Sequence, residues 1–294
     1  MAEELELIPN TESSLGEGTI WHAQKQVLYW VDIVGEKVHI YDPATGSDRT
    51  LPTGQPVGTV VPRRSGGLMV AVQHGFASLD TETGKLEIVA DPEGRLSKNR
   101  FNDGKCDPAG RFWAGTMPFK KGADPKGGSL YCLFPDHHVE RKVEGVACSN
   151  GIVWSLDHRM MYYIDTPTRE VWAYDYDIET GAISNKRVAI SVPEGAGHPD
   201  GMTIDAEGLL WVAHWGGSQV ICWDPKTGKQ VRSIPVPATQ VSSCAFGGPR
   251  LDELYISTAR VGLSKAALKK QPHAGRLFRI RPGACGVEAP EFAG

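Results

Sequence analysis

The chain is poor in the features that mark membrane, secreted and nucleic-acid-binding proteins. No stretch of its 294 residues approaches the run of about eighteen apolar residues that spans a bilayer, so no transmembrane helix is expected. Met1 to Pro9 is acidic and lacks the apolar core of a secretory signal, and a cytoplasmic protein is expected. Six cysteines (Cys106, Cys132, Cys148, Cys222, Cys244, Cys285) stand singly, without the close spacing of a zinc site or a disulfide framework, and read as free thiols in a reducing compartment. There is no basic run or stripe, and a net charge of -4 argues against phosphate-backbone partners. No Gly-x-Ser-x-Gly elbow is present, which sets aside the commonest serine-nucleophile arrangement. Extended helical periodicity is also missing; Ser264 to Lys270 is the best candidate, as one or two turns on a connection.

What is present is turn chemistry and a repeat. The chain has 34 glycines, 20 prolines and 40% hydrophobic residues, a balance that suits many short strands around a large core. A polar residue followed by Gly, then an apolar strand, recurs. Glu17-Gly18 leads to Leu28-Tyr29-Trp30-Val31, Asp103-Gly104 to Phe112-Trp113-Ala114, Asn150-Gly151 to Met161-Tyr162-Tyr163-Ile164, and Asp200-Gly201 to Leu210-Trp211-Val212-Ala213. With Val57 and roughly Ser243 added, six units begin at entry positions 17, 57, 103, 150, 200 and 243. Later in a unit comes a strand closed by a Thr-Gly turn, as in Val38-His39-Ile40-Tyr41-Asp42-Pro43 before Thr45-Gly46. Copies end at Gly84, Gly181 (after Val171 to Asp175) and Gly228. Several short strands at this period predict an all-β, six-bladed β-propeller in which residues 1–294 form one domain. A pair of β-sandwiches would not keep the period along the whole chain. A closed ring also leaves no sheet edge that needs a partner, so a monomer is expected.

In a propeller the entry positions of all blades converge on one mouth of the central channel. Glu17, Asp103 or its neighbour Asn102, Asn150 and Asp200 would then offer oxygen donors to a common space. Two carboxylates and one or two carboxamides form a hard donor set, suited to one divalent ion: Ca²⁺, Mg²⁺ or Mn²⁺, with Zn²⁺ also possible. Asp-Gly and Asn-Gly pairs are ordinary turn formers when single; it is their recurrence at equivalent positions that points to a site.

Four runs carry a resemblance: Leu15-Gly16-Glu17-Gly18 before Trp21, Asn99-Arg100-Phe101-Asn102-Asp103-Gly104-Lys105, Ser149-Asn150-Gly151-Ile152-Val153-Trp154-Ser155 and Pro199-Asp200-Gly201-Met202. In these the chain resembles the regucalcin and gluconolactonase family of six-bladed propellers, most closely from about Asn99 onward. The resemblance implies divalent-metal-dependent hydrolysis of sugar-acid lactones. The ion would sit on Glu17, Asn150 and Asp200, the substrate would be held by Arg100 and Asn102, and Asp200 would act as general base. Where the family often has an acidic contact after the third-blade strand, this chain reads Pro118-Phe119-Lys120-Lys121, so Lys120 replaces it or the contact is missing. Asp103 and Lys120 are candidates to stand behind the ligands or to cover the site, and Phe119 to Gly128 is a candidate lid loop. His198 lies two residues from Asp200, His137-His138 reads as a surface turn, and His214-Trp215 follows the fifth-blade strand.

Three other readings share the architecture. They are a calcium-binding regulatory protein using the same ligands without turnover, a calcium-dependent phosphotriesterase or arylesterase, and a non-catalytic interaction propeller.

Overall fold

The protein was examined as a computed structural model, which describes residues 4–294. Six four-stranded antiparallel sheets stand around one axis as the blades of a propeller. Their inner strands are Gly16–His22, Val57–Pro62, Asn99–Cys106, Ser149–Trp154, His198–Ile204 and Val241–Gly247, and each lies against the inner strands of the two flanking blades. The ring is closed by a strand from the other end of the chain. Glu6–Leu7 pairs antiparallel with Phe278–Ile280 and becomes the outermost strand of the sixth blade.

Burial explains why the second strand of each blade is so apolar. Leu28–Tyr29–Trp30–Val31 and its counterparts sit between two faces of neighbouring blades and are fully buried, so they are continuous apolar runs, not alternating ones. Outer strands meet water and read accordingly; Lys229–Pro235 is exposed at all but one position.

The Thr-Gly turns form as the sequence predicts. Gly46 takes a positive φ of 70° and donates its N–H to the Asp42 carbonyl at 2.8 Å, while the Asp42 carboxylate accepts from the Ala44 N–H and the Thr45 hydroxyl. In the fourth blade the turn aspartate is Asp177, whose carbonyl accepts from Gly181 at 2.8 Å. Asp175, placed before that turn from sequence, instead holds Asn185 and Arg187 on the neighbouring strand. Lys265–Lys270 is a helix capped by the Ser264 hydroxyl, which accepts the Ala267 N–H at 3.1 Å.

One feature of the inner strands departs from the sequence reading. The polar-Gly pairs do not precede strands as turns; they lie inside the inner strands, and all six of those strands carry a register shift there. Each shift is a bulge with an extra residue against the second strand.

Buried aspartates tie the blades' second strands to the turns before them. Asp107 is fully buried and one of its oxygens accepts from Arg111 Nε (2.6 Å), Trp113 Nε1 (2.9 Å) and Tyr176 OH (2.8 Å), the last reaching across to the fourth blade. Trp211 Nε1 donates to Asp205 in the same way in the fifth blade. Removing Asp107 strands a buried guanidinium and two further donors. Asp107→Ala is therefore expected to lower the unfolding free energy by about 3–5 kcal/mol, measured by urea denaturation; a change within experimental error would contradict this account.

Candidate functional site

The bulges determine which side chains face the channel. Asp200 is the first unpaired residue of its bulge, after Pro199, and Asn102 is the first unpaired residue of the corresponding bulge, after Phe101. The entry position of the third blade is therefore Asn102. Asp103 occupies the place that glycine takes in the other polar-Gly blades, one step further along the strand. In the sixth blade the bulge falls at Ser242, and its neighbour Ser243 is turned to the first blade, where its hydroxyl meets that of Thr19 at 3.0 Å. Glycine is required beside these residues because the inner strands nearly touch. A Cβ on Gly151 would stand 2.7 Å from the Asp200 carbonyl oxygen and 2.6 Å from the Met202 Cβ.

Glu17, Arg100, Asn102, Asp103, Asn150 and Asp200 are all buried at this mouth. A directed chain of hydrogen bonds orients the two amides. The Thr166 hydroxyl donates to the Pro199 carbonyl at 2.9 Å, so it must accept from Asn150 Nδ2 at 2.7 Å. The Asn150 carboxamide oxygen consequently faces the other way, where Asn102 Nδ2 donates to it at 3.0 Å. Asn102 Nδ2 also donates to the Ser149 carbonyl (2.7 Å), and Asn102 Oδ1 accepts from Arg100 Nη1 at 2.6 Å. Arg100, Asn102 and Asn150 thus belong to one network spanning blades three to five.

The carboxylates are not satisfied in this way. Asp200 Oδ1 and Asp103 Oδ2 have no hydrogen-bond partner among the described residues. Burial, then the negative charge of Asp103, pushes Glu17 up to about 8. Asp200 is raised well above the carboxylate range by burial and then by the charges of Glu17 and Asp103, and burial raises Asp103 as well. Arg100 answers only part of this charge, and its own pKa is lowered by burial. A buried set of acids with orphaned oxygens is the arrangement that a hard cation would relieve. Among the described residues no three His, Cys, Asp or Glu side chains converge as a metal cluster of their own. The fit to a cation therefore rests on the mixed donor chemistry of Glu17, Asp200 and the Asn150 carboxamide.

Other candidates fall outside this set. His198 is exposed and its ring lies 3.4 Å from an Arg169 Nη1. His214 does not line the mouth: it is buried, packs on Trp223, bonds the Ala196 carbonyl at 3.0 Å and is pushed down to about 4 by burial. His138 sits in the expected surface turn between Asp136 and Glu140. The loop after Pro118 is at the mouth end of the third blade, since Asn99 pairs with Pro118 and Lys98 Nζ donates to the Gly122 carbonyl at 2.8 Å. The Lys120 backbone N–H donates to the Lys98 carbonyl at 3.3 Å, and the Lys120 ammonium lies 5.2 Å from the centre of the Phe119 ring.

Two residues at the mouth carry no sequence signal. Thr166 belongs to a short 3₁₀ turn after the second strand of the fourth blade and reaches the site only because that turn packs on Pro199. The Cys148 sulfur stands 3.7 Å from both Asn150 Nδ2 and the Met117 sulfur, and burial, then the charge of Asp200, pushes its thiol up to about 12. Cys148 is accordingly a neutral wall of the site.

Residues 15–260 match the sequence pattern of the SMP-30/Gluconolactonase/LRE-like region. The chain is 41% identical over 291 residues to regucalcin from Danio rerio, covering 99% of this chain and 98% of that protein. Among solved structures it superposes on a luciferin-regenerating enzyme with a TM-score of 0.93 at 34% identity, over 99% of this chain and 100% of the other. It also matches a calcium-binding protein, regucalcin, from Agrobacterium tumefaciens with a TM-score of 0.92 at 27% identity, over 99% and 97% of the two chains. The likeness therefore extends through the first blade and a half, where the sequence motifs were less telling.

The acids at the mouth make a prediction about stability. Unfolded Glu17 releases its proton near the ordinary value of 4.5, whereas the folded protein retains it to about 8. Below that window both states are protonated. Within it the unfolded state binds fewer protons, so stability falls as pH rises, and raised Asp200 adds a contribution of the same sign. Thermal melts in chelator are expected to drop from about pH 4.5 to about pH 8, less steeply in Glu17→Gln, and an added divalent cation should raise the melting temperature most at the upper end. A flat profile for chelated wild type would contradict the burial of uncompensated carboxylates.

Proposed function

Since the chain belongs to the SMP-30/gluconolactonase/LRE-like family, we propose that it hydrolyses sugar-acid lactones with the help of one divalent metal ion held by Glu17, Asn150 and Asp200. The observation that carries this reading is the pairing of a fully oriented amide network with a buried carboxylate oxygen, Asp200 Oδ1, that has no partner among the described residues. The bound ion would supply Lewis-acid polarisation of the lactone carbonyl and offset the charge of the two carboxylates.

The chain's own groups account for the remaining chemistry. Asp200 takes a proton from the attacking water as the water oxygen bonds to the carbonyl carbon. When the ring C–O bond breaks, the departing alkoxide recovers a proton from the Asp200 carboxylic acid, which returns the site to its starting state. Arg100 and Asn102 orient the sugar, with a forked donor and a two-sided amide suited to vicinal hydroxyls. Their mutual bond at 2.6 Å sets that orientation before substrate arrives. The enclosing strands keep bulk water from the reacting carbonyl, so the few donors present act at low local dielectric. Lys120 and the loop around it flank the entrance and are candidates to touch the far end of the sugar.

A second reading has one observation in its favour: the Agrobacterium tumefaciens relative is described as a calcium-binding protein. On that reading the same three residues hold calcium and no lactone is turned over.

The readings separate in one experiment. Wild type and Asp200→Asn are assayed by proton release on five- and six-membered aldonolactones, with chelator or with each of Ca²⁺, Mg²⁺, Mn²⁺ and Zn²⁺. Wild type should show metal-dependent turnover, and Asp200→Asn should lose about 10²–10⁴-fold in kcat while remaining folded. Undiminished turnover by Asp200→Asn would remove Asp200 as the base. Calcium binding without turnover of any lactone would favour the regulatory reading, and faster turnover of an aryl ester or phosphotriester would reassign the substrate.

A further inference from the structure

The opposite end of the channel is built differently. The inner strands of blades three, four and five end there at Cys106, Trp154 and Ile204, and that of blade one contributes Ile20, around a cavity of about 250 Å³. The C-terminal segment lies across it. That segment is anchored on one side by the Gly286 N–H to the Leu251 carbonyl and the Ala206 N–H to the Cys285 carbonyl, both 2.8 Å. On the other side the Phe292 N–H bonds the Pro62 carbonyl and the Ala293 N–H the Gly110 carbonyl, both 2.9 Å. Val287 to Pro290, between the anchors, form one wall of the cavity.

The wall is apolar except at a few points. Lys105, two residues beyond Asp103 and just past the bulge of the same strand, lines the cavity. Its ammonium donates to the Met202 carbonyl and has no ion-pair partner among the described residues. An ammonium carries three donors, so two are uncommitted in a largely apolar enclosure. Trp154, also part of the wall, has a buried indole N–H with no acceptor among the described residues. Ser155, Thr203 and the exposed side chains of His158 and Glu288 complete the polar complement. Lys105 and Trp154 thus bring uncommitted donors to this end, in contrast to the carboxylate-rich mouth. The nearest counter-charges of Lys105 are the buried acids Asp103 and Glu17, and an ammonium with open donors beside apolar walls matches an anion that carries an apolar body.

We propose that this cavity is a second binding site, distinct from the polar mouth, for a small amphiphilic carboxylate. Its anionic end bonds Lys105, and its apolar body packs against Val153, Leu156, Ile204 and the Val287–Pro290 segment. At organic packing density the volume admits a body of about ten non-hydrogen atoms, the size of a phenyl ring with a short acyl chain.

The test uses the full-length protein and two probes of equal shape, 4-phenylbutyrate and its uncharged amide, followed by titration calorimetry and backbone-amide NMR. The carboxylate should bind saturably at one site, about tenfold or more tightly than the amide, as a charge-assisted bond implies. The shifts should centre on Val153, Thr203 and Ala289. Lys105→Met should erase the preference for the carboxylate. Equal binding of the two probes, absence of saturation at millimolar concentration, or shifts centred on Glu17, Asn150 and Asp200 would each overturn the proposal. The comparison of probes on wild type decides the matter even if Lys105→Met fails to fold.

Discussion

At the axis of the ring the inner strands come so near that a Cβ on Gly58 would stand 2.2 Å from the carbonyl oxygen of Asn102, and the arrangement of the polar mouth follows from that lack of room. A bulge in each inner strand accommodates the crowding by letting one residue leave the ladder. In the third and fifth blades the residues released include Asn102 and Asp200, whereas Glu17 and Asn150 stay paired beside the bulges of their own strands. Position in the ring, not local sequence, is what turns Glu17, Asn102, Asn150 and Asp200 into neighbours. Residues from four blades, separated by up to 183 positions in the sequence, share one space because their strands share one axis.

Burial then does two opposite things to those side chains. It strengthens the amide network, in which Thr166, Asn150, Asn102 and Arg100 each have a direction fixed by the next. It also penalises the acids, raising Glu17 to about 8 and leaving Asp200 Oδ1 unsatisfied. The site is thus fixed in its amides and electrostatically unfinished in its acids, which is the ground for the proposed cation and proton transfer. The surrounding frame is tied together elsewhere. Buried Asp107 and Asp205 anchor Trp113 and Trp211, and the N-terminal strand closes the sixth blade.

The two ends of the channel differ because the inner strands of the third, fourth and fifth blades begin with polar residues and end with apolar ones. Asn99-Arg100-Phe101-Asn102-Asp103 opens on the acidic mouth, while Lys105 and Cys106 reach the cavity beneath the C-terminal segment. One strand therefore serves both, and Asp103 and Lys105 lie between two environments of opposite charge preference.

Much of this was legible in the sequence, for a reason that can be stated. Propeller blades repeat, and a repeat writes its turns and its buried second strands in the same residues each time; Asp42 to Gly46 and Asp224 to Gly228 are near copies. The period therefore announced six blades, and recurrence of an oxygen-bearing residue beside glycine announced the mouth. What the pattern could not separate was strand from turn at the polar-Gly pairs, or Asn102 from Asp103 as the entry residue, since a bulge shifts register by one without changing composition. Thr166 and Cys148 were invisible, because their roles depend on which loop packs on Pro199 and Met117. The sequence by itself thus determined the architecture and the chemical types at the site, both properties of local pattern. Only the tertiary structure decided which oxygen points where, which acids remain unpaired and which end of the channel is closed, since each of these depends on distances between residues remote in the chain.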